Sequence, residues 1–475
     1  MTEKTDELEI IPVTLKELKG EIKSNINAKK TPGYDLITGR IMKELPEKAV
    51  IKLLHIINAT FRLKHVPSQW KVAEVIMITK PGKSPNEKTG YRPISLLPVM
   101  SKLFEKLLLK RLKPIIEDRN LIPDHQFGFR QRHSTIDQVH RITNIIEKAL
   151  EGKKICASIF LDVAQAFDKV WHEGLEYKLH RDLPRQFYLL LKSYLENRHF
   201  RVKQDDQYSC LKPIKAGVPQ GSVLGPVLYI LYTRDLPQQE DTTVATFADD
   251  TAILSIGDDV ETATRKLQTS ANKIAKWTKM WRMKLNETKS VHINFTNRKI
   301  SAVEVEINSN IIPYADTVKY LGMTLDSKLN WNNHIEKKKQ ELKTKFRRMY
   351  WLMGRNSHLS LHNKLLIYKQ ILRPIWAYGI QLWGCAKKSN IKKIQTFQNK
   401  LLRSIVGAPW YMRNDDIHRD LKIETVNETT VKYARKHEHR LHKHENLEML
   451  NVLDNDGELR RLKRNKPLDL IVLCQ

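Results

Sequence analysis

Residues 244–255, VATFADDTAILS, place two acidic residues between two largely apolar stretches. Residues 244–247 and 252–254 predict two short strands that are joined by a turn at Asp249 and Asp250. Two carboxylates about 4 Å apart near a protein surface repel by roughly 4 kcal/mol at an effective dielectric constant of about 20. The pair therefore indicates a positively charged partner, although Asp-Asp is also common in a simple solvated turn.

The charge of the chain indicates a polyanionic partner. Over 475 residues, 82 Lys and Arg against 53 Asp and Glu give a net charge of +29, and residues 331–475 carry 30 basic and 14 acidic side chains. Nucleic acid is the first candidate for a partner of such a protein. A solvated basic surface is the alternative reading of the same composition.

The compartment is expected to be intracellular, nuclear or cytoplasmic. The N-terminus MTEKTDELEI lacks an apolar signal core, and no apolar run approaches the roughly 20 residues of a membrane helix. The cysteines are widely spaced, without a zinc or disulfide pattern. They are Cys156, Cys210, Cys385 and Cys474. We therefore expect a chain that is neither secreted nor bound to a membrane.

The first third of the chain predicts helices around one apolar strand. Residues 14–61 have a helical pattern interrupted by KKTPGYD, residues 71–79 predict a strand before a basic loop, and residues 100–112 predict a helix with Ser101 as its cap. A further helix is predicted at 135–150, with Ser134 and Asp137 as a capping box.

Further along, functional candidates fall at the ends of predicted elements. The strand Ile155–Leu161 ends at Asp162, which is either a functional carboxylate or the N-cap of a helix beginning near Ala164. A Gly- and Pro-containing loop, 217–221, precedes an apolar helix. The stretches WRMKLNETKSVHINF and YLGMTLDSKLNW predict a strand pair with Lys289 in a turn, and the chain is helical and basic from Trp331.

Seven motifs occur in an order that resembles the reverse transcriptases of non-LTR retrotransposons, most of all the jockey-type elements of insects. They are YRPISLL (91–97), QFGFR (126–130), FLDVAQAFDKVW (160–171), AGVPQGSVLGPVLY (216–229), FADD (247–250), LNETKS (285–290) and YLGMTLD (320–326). The resemblance implies an α+β, right-hand polymerase fold with fingers, an antiparallel palm sheet flanked by helices, and an all-helical thumb. It implies a helical lead-in at 1–60, fingers and palm at 61–328, and a basic thumb and C-terminal region at 329–475.

The resemblance also implies a two-metal site. Asp162, Asp249 and Asp250 are then the catalytic carboxylates that hold two Mg²⁺ ions, and Val163 adds its backbone carbonyl. Attack of a primer 3′-hydroxyl on a triphosphate independently favours two metals roughly 3.5 to 4 Å apart. We expect Asp162 and Asp249 to be direct ligands and Asp250 to support them, since neighbouring side chains alternate along a strand.

Nucleotide contacts are implied at five further positions. Phe167 would exclude the ribose 2′-hydroxyl, Gln220 would line the sugar and base, and Lys289 would donate a proton to pyrophosphate. Lys80 and Arg92 would grip the triphosphate. Phe167 as a core aromatic and Lys289 as a solvated charge are the alternatives, and Arg130 is a weaker candidate.

In the C-terminal third, we expect an apolar helix face to form core, with Lys and Arg tracking a nucleic-acid backbone. The face is Leu361, Leu365, Tyr368, Leu372 and Ile375. Four histidines nearby favour a solvated helix over a metal site. They are His437, His439, His442 and His444.

The expected function is RNA-directed DNA polymerisation with an RNA template, a DNA primer or nicked target DNA, and deoxynucleoside triphosphates. The alternative is a catalytically silent, polymerase-derived scaffold that binds RNA, and an intron-type maturase fits the motifs less well. The chain begins close to the polymerase lead-in, so we expect no endonuclease domain ahead of it.

Overall fold

The computed structural model describes residues 8–80, 82, 84, 86–87, 90–301, 303–453 and 460–474. Its α-helices are numbered in chain order. They are α1 (Leu15–Asn25), α2 (Gly39–Lys43), α3 (Glu47–Leu63), α4 (Val99–Asp118), α5 (Thr135–Glu151), α6 (His172–Asp182), α7 (Arg185–Leu195), α8 (Gly225–Thr233), α9 (Val260–Met280), α10 (Asn332–Arg348), α11 (Tyr350–Met353), α12 (Leu361–Ile367), α13 (Arg373–Ala377), α14 (Ile380–Trp383), α15 (Lys388–Val406), α16 (Asn414–Leu421), α17 (Val426–Leu441) and α18 (Leu447–Leu450).

The strands are numbered in the same way. They are β1 (Val72–Thr79), β2 (Tyr91–Leu96), β3 (Ile155–Leu161), β4 (His199–Gln204), β5 (Gln207–Tyr208), β6 (Lys212–Pro213), β7 (Thr242–Phe247), β8 (Asp250–Gly257), β9 (Val291–Phe295), β10 (Glu306–Ile307), β11 (Asn310–Ile311), β12 (Thr317–Tyr320) and β13 (Met323–Asp326). Helices and largely antiparallel strands together give an α+β composition.

The first of two compact units comprises Met1–Pro123, Val163–Pro237 and Ile274–Leu285. Its sheet has the order β2-β1-β4-β5, with β6 also paired to β4. Strand β1 is antiparallel to β2 and parallel to β4. Apolar side chains of helices α1, α3, α4, α6, α7 and α8 form one buried cluster. Burial of this cluster is the main source of this unit's stability.

The second unit comprises Asp124–Asp162, Gln238–Lys273 and Asn286–Gln475. Its four-stranded sheet has the order β7-β8-β3-β9, and every neighbouring pair is antiparallel. Strand β3 lies in the middle and is buried along its whole length, which explains its unbroken apolar sequence ICASIFL. The apolar residues of α5 and of helices α10–α17 join the same buried cluster as this sheet.

The capping box of α5 is confirmed. The Ser134 hydroxyl accepts from the backbone N–H of Asp137, and the Asp137 carboxylate accepts from the backbone N–H of Ser134. The predicted cap of α4 is wrong, because α4 begins after Pro98 and Ser101 lies inside it. Proline has no N–H and a fixed φ, which suits it to the start of a helix.

Two further predictions of local structure are wrong. No helix begins near Ala164: residues 164–169 form turns, with Gln165 at a φ of 54°, and α6 starts at His172. The two stretches expected to pair with each other do not. Strand β9 instead pairs with β3, and β12 pairs with β13. The second stretch holds β13, which pairs with the neighbouring β12, whereas β9 lies beside β3, and local sequence does not reveal this choice.

The C-terminal helices also correct two expectations. Tyr368 and Leu372 are buried as predicted, but Leu361 is 46% exposed at the start of α12. His437 and His444 are buried, whereas His439 and His442 are exposed, so a fully solvated helix was the wrong prediction.

Within the described residues, no helix combines the length and the apolar character that crossing a membrane requires. The division of the chain into lead-in, fingers with palm, and thumb stays a prediction.

Candidate active site

The acidic pair lies at the tip of the β7–β8 hairpin, with the turn one residue earlier than predicted. Phe247 pairs with Asp250, and Ala248 and Asp249 form the two-residue turn. Ala248 has a φ of 58°, in the left-handed region that costs a residue with a side chain about 1 kcal/mol or more. Such a backbone persists only when the surrounding structure holds it in place.

Gln126 supplies that support. Its side-chain oxygen accepts from the backbone N–H of Ala248 (2.9 Å) and from that of Gly128 (2.7 Å). Gln126 is 3% exposed, and a side-chain carbon placed on Gly128 would lie 2.2 Å from the Ala248 nitrogen. The QFG residues of the QFGFR motif therefore pack directly against the acidic turn. The QFGFR motif is visible in the sequence, but the pattern itself gives no role to Gln126.

Asp162 follows β3 directly, in line with the register of β3 and β8. Leu161 pairs with Thr251, so Asp162 and Asp250 are the next residues on the two strands. The backbone of Asp162 is held from another segment: its carbonyl accepts from Asn286 N–H (2.8 Å), and its N–H donates to the Ser290 hydroxyl (3.1 Å).

Ser290 is the second functional residue that sequence reasoning missed. It is 1% exposed, and its hydroxyl donates to the carbonyl of Asn286 (2.9 Å). Residues 286–290 therefore fix the backbone of Asp162. The LNETKS motif was the available signal, although its contact lies 128 residues away in sequence.

Asp249 and Asp162 both act on the carboxylate of Asp250. Asp250 remains accessible to solvent, but neighbouring atoms remove part of its hydration. This partial burial, and then the charges of Asp249 and Asp162, raise the pKa of Asp250 to about 6. Because uncompensated carboxylates repel, a nearby cation would stabilise the arrangement.

The donor set fits a divalent cation such as Mg²⁺, which prefers carboxylate oxygens. Over the part of the chain that the structure describes, no three His, Cys, Asp or Glu side chains are already grouped to hold a metal ion. Asp162, Asp249 and Asp250 are the residues that would hold such an ion.

The first unit holds most of the predicted nucleotide contacts. Lys80 follows β1, and its N–H donates to the Gly90 carbonyl (2.7 Å), while Arg92 is exposed on β2 opposite Ile78. Both cations thus belong to one hairpin. The loop between them lies partly outside the described residues.

The PQG loop and the AFD segment contact each other within this unit. The Gln220 side-chain amide donates to both carboxylate oxygens of Asp168, at 2.9 Å each. Burial raises the pKa of Asp168, while Gln220 and Lys80 oppose the rise. Phe167 stacks on Tyr229 with ring centroids 4.7 Å apart. Asp168 is a further residue that sequence reasoning did not single out.

The remaining candidates are divided between the units. Lys289 is exposed in the turn before β9, in the same unit as the three catalytic candidates. Val163 belongs to the first unit, where its backbone bridges to Leu285. Arg130 forms an ion pair with Asp124 at 3.5 Å. The roles given to these residues, and to the five nucleotide-binding candidates, stay predictions.

Comparison with known proteins identifies relatives of this chain. A family profile described as "Reverse transcriptase (RNA-dependent DNA polymerase)" matches residues 78–325. The chain is 42% identical to the RNA-directed DNA polymerase from mobile element jockey of Drosophila melanogaster, over 98% of this chain and 52% of the relative. It is also 42% identical to the probable RNA-directed DNA polymerase from transposon X-element of the same species, over 93% and 49%. The chain thus spans about half the length of the curated relatives it matches.

Solved structures give a weaker likeness. Telomerase from Candida albicans, solved in complex with a fragment of telomeric RNA, has 11% identity and a TM-score of 0.42, over 80% of this chain and 71% of that one. The profile match, and not this likeness, confirms the predicted α+β, right-hand polymerase fold class. Reverse transcriptases generally use divalent metal ions.

Proposed function

Because this chain belongs to the reverse transcriptase (RNA-dependent DNA polymerase) family, we propose that it copies RNA into DNA as the polymerase of a non-LTR retrotransposon. The observation that carries the proposal is the family match over residues 78–325, which includes Asp162, Asp249 and Asp250. The identity to the jockey and X-element polymerases supports the retrotransposon class.

The proposed reaction extends a DNA primer on an RNA template. The primer 3′-oxygen attacks the α-phosphorus of a deoxynucleoside triphosphate, the hydroxyl proton is lost, and pyrophosphate leaves. Asp162, Asp249 and Asp250, with the carbonyl of Val163, would hold two Mg²⁺ ions. When bound, these ions would lower the pKa of the 3′-hydroxyl and offset the charge of pyrophosphate. Gln126 and Ser290 would keep the carboxylates in place.

The nucleotide is proposed to contact the first unit. Lys80 and Arg92 carry the positive charge that triphosphate oxygens require. The ring of Phe167, supported by Tyr229, would exclude a ribose 2′-hydroxyl on steric grounds. Gln220 would line the sugar and base, and its contact with Asp168 would orient it. Lys289 would donate a proton to the leaving pyrophosphate.

The partners follow from the reaction: an RNA template, a DNA primer or nicked target DNA, and deoxynucleoside triphosphates. The net charge of +29 suits binding to nucleic acid. We place the activity inside the cell, in the nucleus or the cytoplasm, where these partners occur.

The proposal is tested by primer extension on a poly-A RNA template with an oligo-dT primer, deoxynucleotides and Mg²⁺. Asp249→Ala should reduce extension at least about 100-fold, which corresponds to about 2.7 kcal/mol of lost transition-state stabilisation. Asp258→Ala is the matched control, because Asp258 is an exposed carboxylate just beyond the other end of β8. This control should extend the primer at the same rate as the unmodified chain.

Extension that survives Asp249→Ala would contradict the assigned site. If the unmodified folded chain binds RNA but extends no primer, the catalytically silent scaffold would be the better description.

A further inference from the structure

Residues 342–414 form a segment without acidic side chains. They contain fifteen Lys and Arg and no Asp or Glu, whereas the whole chain has 53 acidic residues in 475. We name residues 342–414 the acid-free segment. It runs from within α10 to the start of α16. A protein partner would have to be strongly acidic to neutralise it, whereas a polynucleotide supplies one negative charge per phosphate.

Large aromatic side chains are exposed in two places on the acid-free segment. Trp410 is 90% and Tyr411 71% exposed in the loop 407–413, which joins α15 to α16 and which we name the aromatic loop. Trp351 is 74% exposed on α11, next to the exposed Tyr350. Exposed tryptophan at this level contributes nothing to the core and lowers solubility, which indicates a binding role.

Hydrogen bonds from α15 hold the aromatic loop in place. The Arg403 guanidinium, on α15, donates to the carbonyls of Pro409 and Met412 (2.7 Å for Met412). The rings of Trp410 and Tyr411 meet edge to face, with centroids 5.9 Å apart. Because the loop is already ordered by these contacts, a ligand that stacks on Trp410 loses little conformational entropy of the protein.

Basic side chains accompany both aromatic sites. Lys343, Lys345, Arg347 and Arg348 are exposed on α10, immediately before Tyr350 and Trp351. Arg355, four residues after Trp351, borders the aromatic loop, since a side-chain carbon on Gly407 would lie 3.7 Å from Arg355 Cγ. Cations beside exposed rings are the combination that binds the backbone and the bases of single strands.

We infer that Trp410 and Trp351 stack on unpaired bases, so that the acid-free segment binds single-stranded nucleic acid as well as following a duplex backbone. This inference extends the proposed function. It rests on that function only in taking the polyanion to be a nucleic acid. Duplex DNA or an RNA–DNA hybrid offers its bases already stacked on one another, and therefore gives the rings nothing to bind. Stacking on an unpaired base is tolerant of sequence.

The test measures binding without chemistry. Fluorescein-labelled 12-nucleotide oligouridine, 12-nucleotide oligothymidine and a 12-base-pair RNA duplex are titrated with the full chain carrying Asp249→Ala, without Mg²⁺ or deoxynucleotides. In this background, Trp410→Ala should weaken binding of single strands about tenfold, within the range expected for one stacked base. Duplex binding should change less than twofold, and Trp410→Phe should restore most of the affinity.

The controls separate stacking from charge and from folding. Tyr177→Ala removes an aromatic ring that is 62% exposed on α6, outside the acid-free segment and beside Glu173 and Glu176. It should leave binding unchanged. Trp410→Ala removes no charge, so its binding should depend on salt concentration as strongly as that of the chain carrying Asp249→Ala alone.

A loss on oligouridine alone identifies RNA as the ligand, and a loss on both single strands identifies unpaired bases in general; either upholds the inference. Unchanged single-strand binding in Trp410→Ala overturns it and leaves the aromatic loop as a contact for another protein. An equal loss on the duplex also overturns it, because the loop would then contact the nucleic-acid backbone and not unpaired bases. Since the assay involves no catalysis, an inactive polymerase would not affect its outcome.

Discussion

The buried side-chain amide of Gln126 stabilises the strained backbone of Ala248. Its side-chain oxygen accepts from two backbone N–H groups, those of Ala248 and Gly128, and the left-handed φ of Ala248 places Asp249 and Asp250 at the tip of the hairpin. An amide is the suitable side chain here, because it accepts two hydrogen bonds without adding a further negative charge near the carboxylates.

Gln126→Ala should therefore lower both stability and activity. Two buried N–H groups lose their acceptor, at about 1–3 kcal/mol each, so we expect the free energy of unfolding to fall by about 2–6 kcal/mol. Urea unfolding followed by tryptophan fluorescence gives this difference, and primer extension measured well below the unfolding transition gives the loss of kcat.

The exposed Gln340→Ala on α10 serves as the control and should change stability by less than about 0.5 kcal/mol. If Gln126→Ala extends primers at the normal rate, the acidic turn does not depend on this amide.

At the scale of elements, a buried histidine pair joins α5 to α17. Arg440 donates to Nδ1 of His437 (3.0 Å), so Nε2 of His437 carries the hydrogen and donates to Nδ1 of His140 (2.9 Å). Burial lowers the pKa of His140 to about 3, and burial together with His140 and Arg440 lowers that of His437 to about 2. Both rings are therefore neutral in the folded chain.

This pair should make the chain sensitive to acid. The unfolded histidines bind protons as the pH falls through 6.5, while the folded pair stays neutral, so the unfolded state gains protons and stability decreases. The contribution is fully present above pH 6.5 and decreases by roughly 1 kcal/mol per histidine for each pH unit below about 6.

Urea unfolding at pH 5, 6 and 7 measures how steeply the free energy of unfolding falls as the pH is lowered, and this slope gives the number of protons taken up on unfolding. His437→Gln should lower that number by about one. His439→Gln, at an exposed position on the same helix, should leave it unchanged. Equal slopes for the two variants would show that His437 takes up its proton in the folded state.

At the scale of the whole molecule, the positive charge is uneven and concentrated where acidic residues are missing. Residues 331–475 carry 30 of the 82 basic side chains but only 14 of the 53 acidic ones. Binding of a polyanion to such a surface releases condensed counterions, so that added salt weakens the binding. For a single strand, the slope of log K against log salt concentration is about −0.7 for each phosphate contacted.

Replacing two exposed cations of α10, Lys343→Gln with Arg347→Gln, should flatten the salt dependence of oligouridine binding by roughly 1.4 units. Fluorescence titrations between about 50 and 200 mM salt measure the slope. The control pair Lys48→Gln with Lys52→Gln, exposed on α3, should leave the slope as it was. An unchanged slope in the α10 variant would remove α10 from the binding surface.

The sequence by itself determined the elements with a strong local pattern. The apolar run of β3, the amphipathic helix α5 with its capping box, and the hairpin that carries Asp249 and Asp250 follow from periodicity and turn chemistry among residues close in the chain. The ordered motifs gave the family and its fold class, which the profile match over residues 78–325 confirmed.

Tertiary structure alone decided what depends on distant residues. It paired β9 with β3, made 164–169 turns in place of a helix, buried His437 against His140, and gave Gln126 and Ser290 their supporting contacts. Each of these contacts joins residues separated by 120 or more positions, apart from the turns at 164–169. Local propensity has no access to such partners, because burial and hydrogen bonding are settled only when the elements pack together.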